Sequence, residues 1–202
     1  MKLIHPSNIC VVGPSGSGKT SFVLNLIVNQ MFTPFPRDIY YLYNIHQDFM
    51  KDFPQIKFVQ GMDLSVIEDD GKDKLLIIDD LMLEMNKELG EHFICRTRHL
   101  KCSTIFLMHT LFQNKDIHRL ISNNTHYFVI FGNRRQMLNV RTLGNQLGMP
   151  QRVLEAYKHA AAKPYGYFVI SLHPRVPEVL TVSTDIFNAY PTVFLTSTEH
   201  YK

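Results

Sequence analysis

Eight consecutive residues, Gly13-Pro14-Ser15-Gly16-Ser17-Gly18-Lys19-Thr20, have the types and spacing of a phosphate-binding loop. The glycines permit positive φ angles and close backbone approach, so successive N–H groups can point inward at a polyphosphate. A helix beginning near Gly18 adds the positive end of its dipole. Lys19 is placed to reach the β and γ phosphates as a point charge, from a side chain expected to stand exposed in the loop. The Thr20 hydroxyl suits a magnesium ion bridging the same phosphates. Downstream, Asp79-Asp80 closes the apolar run Leu75-Leu76-Ile77-Ile78. An acidic residue at the carboxyl end of a buried strand lies beside such a loop, where Asp79 would hold Mg2+ through its water shell. Asp80 is then the expected base that orients and deprotonates water, with Glu84 one helical turn further on in reserve. The chemistry implied is the binding of a nucleoside triphosphate with Mg2+.

These residues need strands and helices to position them. Ile9-Cys10-Val11-Val12 reads as the strand before the loop, and Phe22, Val23, Leu26 and Ile27 recur at helical spacing after it. Strands are expected at 39–43, 57–59, 75–78, 103–108, 127–131 and 167–170. Helices are expected near Gln47, from about Leu83, and over 116–121, 136–147 and 151–161. The stretch from His173 onward, with its prolines, reads as loop. Alternating strands and helices predict an α/β fold, a mainly parallel central sheet covered on both faces in three layers. At least one strand lies between the loop strand and Asp79, and a carboxylate follows directly. That order points to the additional-strand branch of P-loop NTPases, RecA-like in architecture.

With 202 residues, 45% of them hydrophobic, the chain can bury a core of ordinary size for one domain. A single domain is expected over 1–202, with a core at about 5–172 and a carboxyl-terminal extension over 173–202. No apolar window is long enough for a membrane span, and the first residues read as strand and not as a signal peptide, so an intracellular protein without membrane contact is expected. Cys10, Cys95 and Cys102 are too few and scattered for a disulfide framework. A net charge of +3 excludes a generally basic nucleic-acid coat. Any DNA contact must be local: Arg96, Arg98, His99 and Lys101 form one basic cluster, Arg134, Arg135 and Arg141 another, and a solvated basic face is the competing reading of each.

The ordered set of motifs resembles the genome-packaging ATPases of large DNA viruses and of polinton or adintovirus elements, members of the FtsK/HerA superfamily. The resemblance runs from the loop and Asp79-Asp80 through Leu111-Phe112, Arg119 before Ile121-Ser122-Asn123-Asn124, Tyr127 to Phe131, Asn133-Arg134-Arg135 and Tyr165-Gly166-Tyr167. It implies ATP as the nucleotide, and a pentameric or hexameric homo-oligomeric ring that translocates double-stranded DNA into a preformed capsid through a portal vertex. Such a ring would work inside an infected host cell, in the nucleus or a cytoplasmic virus factory. His109 occupies the position where relatives usually carry a glutamine that senses the γ-phosphate, and a strand-end histidine satisfied by its neighbours is the alternative. A trans-acting arginine is also implied, with Arg119 first and Arg98 and Arg134 behind it. The other function class that fits is a nucleotide-dependent assembly scaffold or switch with incidental turnover.

Two further patterns have bland explanations. His92, Cys95, His99 and Cys102 are common zinc ligands, but on one straight helix the first and last lie about 15 Å apart, too far for one ion. Most of the fourteen Phe and nine Tyr sit inside apolar runs where packing accounts for them. Tyr165 and Tyr167 flank Gly166 on the expected nucleotide side of the sheet, and both packing and contact with adenine remain open for them.

Overall fold

Runs of β-branched and aromatic residues without polar interruption build the centre of the molecule. The computed structural model describes residues 1–63, 65, 70–81, 99–111 and 115–195. Strand β1 (Leu3–Ile4) and β2 (Asn8–Val12) precede helix α1 (Lys19–Val28). Then come β3 (Phe32–Thr33), β4 (Asp38–Tyr43), β5 (Ile56–Gln60), β6 (Lys74–Asp79) and β7 (Cys102–Met108). Helix α2 (Lys115–Asn123), β8 (Tyr127–Phe131), helices α3 (Met137–Gln146) and α4 (Pro150–Ala161), and strands β9 (Tyr167–Ser171), β10 (Val182–Thr184) and β11 (Thr192–Val193) complete the described chain. The expected helix from Leu83 lies outside the described residues, as do Glu84, His92, Cys95, Arg96 and Arg98. The expected helix near Gln47 is a short 3-10 turn at Asp48–Asp52.

Among the described residues a nine-stranded sheet runs in the order β11-β10-β9-β8-β2-β7-β6-β4-β5. The six strands from β8 to β5 are mutually parallel, and β9, β10 and β11 add to one side in antiparallel fashion. Residues of β2 alternate between two cores: Ile9 and Val11 pack with α1, Cys10 and Val12 with α2, α3 and α4. Both faces of the sheet are therefore covered, which is why β2, β7 and β8 are buried at every position. Each large apolar side chain removed from water there contributes about 1.5–3 kcal/mol.

The segment after His173 corrects the sequence reading: it is not all loop but supplies β10 and β11, and it is tied down. The Arg152 guanidinium, buried on α4, donates to the carbonyls of Phe194 and Glu178. Phe194 N in turn donates to Val182 O at 2.9 Å. Strands of three and two residues are too short to show any periodicity, so nothing in the local pattern marks them.

At the amino-terminal edge of the sheet, His5 Nδ1 lies 2.7 Å from Ser103 Oγ, which also accepts from Ser7 N at 3.0 Å. His5 Nε2 faces Asp73 Oδ1 at 3.5 Å. The Ser-His-Asp order looks like a nucleophile and its base, but Ser103 is completely buried within β7 and no substrate can reach it. The cluster ties the β1 segment to β7.

Candidate nucleotide-hydrolysis site

The loop between β2 and α1 is shaped by its glycines. Gly16 and Gly18 have φ of 73° and 98°, a region open to glycine and costly for residues with a Cβ. Gly13 N donates to Met108 O at 3.0 Å, fixing the start of the loop to the end of β7. Helix α1 buries Phe22, Val23, Leu26 and Ile27 and leaves Ser21 and Asn25 on its open side. Lys19 departs from the sequence expectation. Its side chain is buried, not exposed, and Nζ donates to the carbonyls of Gly13 at 2.7 Å and Pro14 at 3.0 Å. The loop curls round the ammonium because its carbonyls are the nearest acceptors. Burial lowers the Lys19 pKa, and the charges of Asp79 and Asp80 oppose that shift.

Strand β7 separates β2 from β6, so the carboxyl ends of the three strands carry the loop, His109 and Asp79-Asp80 side by side. Asp79 Oδ2 accepts a hydrogen bond from Tyr41 OH at 2.6 Å, and Thr20 lies beside the same tyrosine. Thr20, Tyr41 and Asp79 are thus neighbours across α1, β4 and β6. Tyr41 was invisible in sequence as a site residue. Its one signal is a hydroxyl in an otherwise apolar, fully buried strand position, which demands a partner. Burial raises the Asp79 pKa, and the Tyr41 hydrogen bond opposes the shift while the neighbouring Asp80 charge adds to it. A hydroxyl and a carboxylate on facing elements are hard oxygen donors of the kind magnesium takes, and a partly buried carboxylate with a second carboxylate beside it suits a cation. The donor set therefore fits Mg2+, with Thr20 and Asp79 as its holders.

Asp80 sits just past the strand with φ of 59°, a left-handed conformation unusual outside glycine. Its exposed carboxylate meets His109, with Oδ1 2.8 Å from His109 Nε2. The backbone of His109 is held from the other side, because the buried Gln136 side chain donates Nε2 to His109 O at 2.7 Å. Asn139 Nδ2 donates to Thr110 Oγ1 at 3.3 Å.

Arg119 projects from the exposed side of α2, opposite the buried Ile117 and Ile121, and is not gathered into the loop site. The described members of the two basic clusters stand at opposite edges of the sheet. Arg135 is exposed in the turn Arg134–Gln136 beyond the carboxyl end of β8, on the nucleotide edge. Lys101 precedes β7 on the opposite edge. No group of three potential metal-ligating His, Cys, Asp or Glu side chains exists among the described residues, and Cys102 is buried in β7. No helix among them is long and apolar enough to cross a membrane.

The fold has relatives among solved structures. B204, the genome packaging NTPase of Sulfolobus turreted icosahedral virus 2, superposes in its AMPPCP complex with a TM-score of 0.59 at 13% identity, over 82% of this chain and 92% of that one. In its ATP-γS complex the TM-score is 0.57 at 13% identity, over 85% and 94%. This is a P-loop ATPase fold. The cytoplasmic domain of the Type VII secretion ATPase EccC from Thermomonospora curvata also matches, with a TM-score of 0.52 at 10% identity, over 85% of this chain and 24% of that one. No protein-family model and no curated protein matches the sequence.

Proposed function

We propose that this chain is an ATP-hydrolysing motor that translocates double-stranded viral DNA into a preformed capsid. The observation that carries the reading is the convergence of Lys19, Thr20, Asp79 and Asp80 at the carboxyl ends of β2 and β6 on either side of β7. A phosphate loop alone would bind nucleotide; the carboxylate beside it adds a means of activating water. Likeness to B204, a genome packaging NTPase, supports the packaging role.

In this reading the loop amides and Lys19 bind the phosphates, and Thr20 and Asp79 would hold Mg2+, with Tyr41 fixing the Asp79 carboxylate. Bound magnesium supplies charge neutralisation at the transferring phosphoryl group. Asp80 takes the proton of the attacking water. His109 orients Asp80 through their 2.8 Å contact. Arg119 of a neighbouring copy in a pentameric or hexameric ring completes the charge on the γ-phosphate. Double-stranded DNA and the capsid or portal vertex are the partners, in an infected host cell.

The test is the ATPase rate with and without double-stranded DNA, measured alongside oligomer size. A motor hydrolyses faster on DNA as an assembled ring. A rate indifferent to DNA in a fully assembled ring would overturn the motor reading and leave an assembly scaffold or switch.

A further inference from the structure

A cleft of about 610 Å³ runs from the phosphate loop past Lys19 and Thr20 along the open side of α1 to Asn25, with Gln47 and Tyr165 on its rim. That volume is in the range of small-molecule sites. Asn25 lies roughly 9 Å further along the helix axis than Lys19, so the cleft extends beyond the reach of the loop amides. Its floor is aromatic: the Phe22 ring lies edge-on to Tyr167 at 4.8 Å and to Phe187 at 5.2 Å. The Tyr167 hydroxyl is engaged by Ile186 N at 3.2 Å, so this residue offers the cleft its ring.

Tyr165 is the unusual member. It is 73% exposed and has φ of 54°, a costly conformation for an aromatic residue that packing into the core does not explain. The next residue holds it there. Gly166 N donates to Lys163 O at 3.1 Å, Gly166 O accepts from Gly132 N at 2.9 Å, and a Cβ at position 166 would stand 2.1 Å from Ala160 O. The turn is thus pressed against α4 with no space for a side chain, and it presents the Tyr165 ring beside the loop. A Cβ at Gly18 would meet Tyr165 Cδ1 at 3.5 Å.

We propose that this cleft holds the nucleobase, with adenine stacked on Tyr165 beside the loop and its edge, pointing along α1, read by the side-chain amides of Asn25 and Gln47. The proposal rests on the phosphate-loop reading and extends it to base selection. A carboxamide offers one donor and one acceptor, matching the paired acceptor nitrogen and amino group of adenine. Guanine presents neighbouring N–H donors that call for a carboxylate, and among the described residues no Asp or Glu lines the cleft. Stacking accepts any base, so Tyr165 supplies affinity and the amides supply the choice.

The experiment titrates magnesium-ATP, magnesium-GTP and inorganic tripolyphosphate into the parent and into Tyr165→Ala, Tyr165→Phe and the double variant Asn25→Ala/Gln47→Ala, each checked by thermal melt. Tyr165→Ala is expected to weaken ATP about ten- to a hundred-fold while leaving tripolyphosphate unchanged. Tyr165→Phe should bind ATP like the parent, and the double variant should lose most of the preference for ATP over GTP. Parent-like ATP affinity in Tyr165→Ala overturns the stacking site, and an undiminished preference in the double variant overturns the edge reading. Lys19→Ala should lose tripolyphosphate as well as ATP. If the parent itself binds no tripolyphosphate, the phosphate loop has failed and the base site with it.

Discussion

Asp79 and Asp80 are neighbours in sequence and opposites in environment. Asp79 is half-buried and clasped by Tyr41, whereas Asp80 is exposed, left-handed in its backbone and paired with His109. Asp79→Asn should therefore weaken the magnesium-dependent part of ATP binding. Asp80→Asn should bind magnesium-ATP normally and hydrolyse it about 10²- to 10⁴-fold more slowly, the usual contribution of a positioned base. Binding isotherms beside single-turnover rates distinguish the two, and a parent-like rate in Asp80→Asn would move the base elsewhere. Tyr41→Phe keeps the buried ring and loses the clasp. Removing one hydrogen bond to a charged group costs about 1.5–3 kcal/mol, so magnesium-ATP should bind roughly ten- to 150-fold more weakly, with the rate at saturation largely kept. Loss of turnover with unchanged affinity would instead give Tyr41 a part in the chemical step.

At the scale of elements, the glycine spacing of the loop and the apolar strands could be read from sequence because each signal lies within a few neighbouring residues. The site's wiring could not. Tyr41 finds Asp79 38 residues later, through the register that pairs Tyr43 with Asp79 across β4 and β6. Gln136 reaches His109 across 27 residues, and no local pattern announces a buried amide in a polar turn. The β1 and β3 strands, two residues each, lie below any periodicity. His5 ties that segment to β7, and this gives the element a pH signature. Burial lowers the His5 pKa from its ordinary value near 6.5, against the opposing charge of Asp73. The unfolded chain therefore binds a proton first as pH falls, and stability should be full above about pH 6.5 and decline below it. The midpoint of thermal unfolding should drop between pH 7.5 and 5.5 more in the parent than in His5→Gln. Identical profiles for the two proteins would show that His5 does not contribute.

At the scale of the molecule, Arg119 is exposed and does not line the cleft beside its own loop, and the proposed ring gives it to a neighbour's site. ATPase activity per subunit should rise with protein concentration, because a trans arginine is worth roughly 10³ to 10⁵ in rate in related phosphoryl transfers. Arg119→Ala should bind ATP and hydrolyse it poorly. Mixing it with Asp80→Asn should recover activity, since a mixed interface can pair an intact base with an intact arginine. Co-assembled mixtures that stay inactive would exclude Arg119. The same architecture sets a timetable for biosynthesis. The phosphate loop is made some 90 to 115 residues before the strands flanking β2, β7 and β8, and the ring of Phe187 that meets Phe22 comes later still. A nascent chain therefore carries its glycine loop and the apolar face of α1 uncovered while those strands are made, and becomes competent for nucleotide only once they have emerged. Ribosome-stalled chains of increasing length should gain ATP retention in one late step and not in proportion to length.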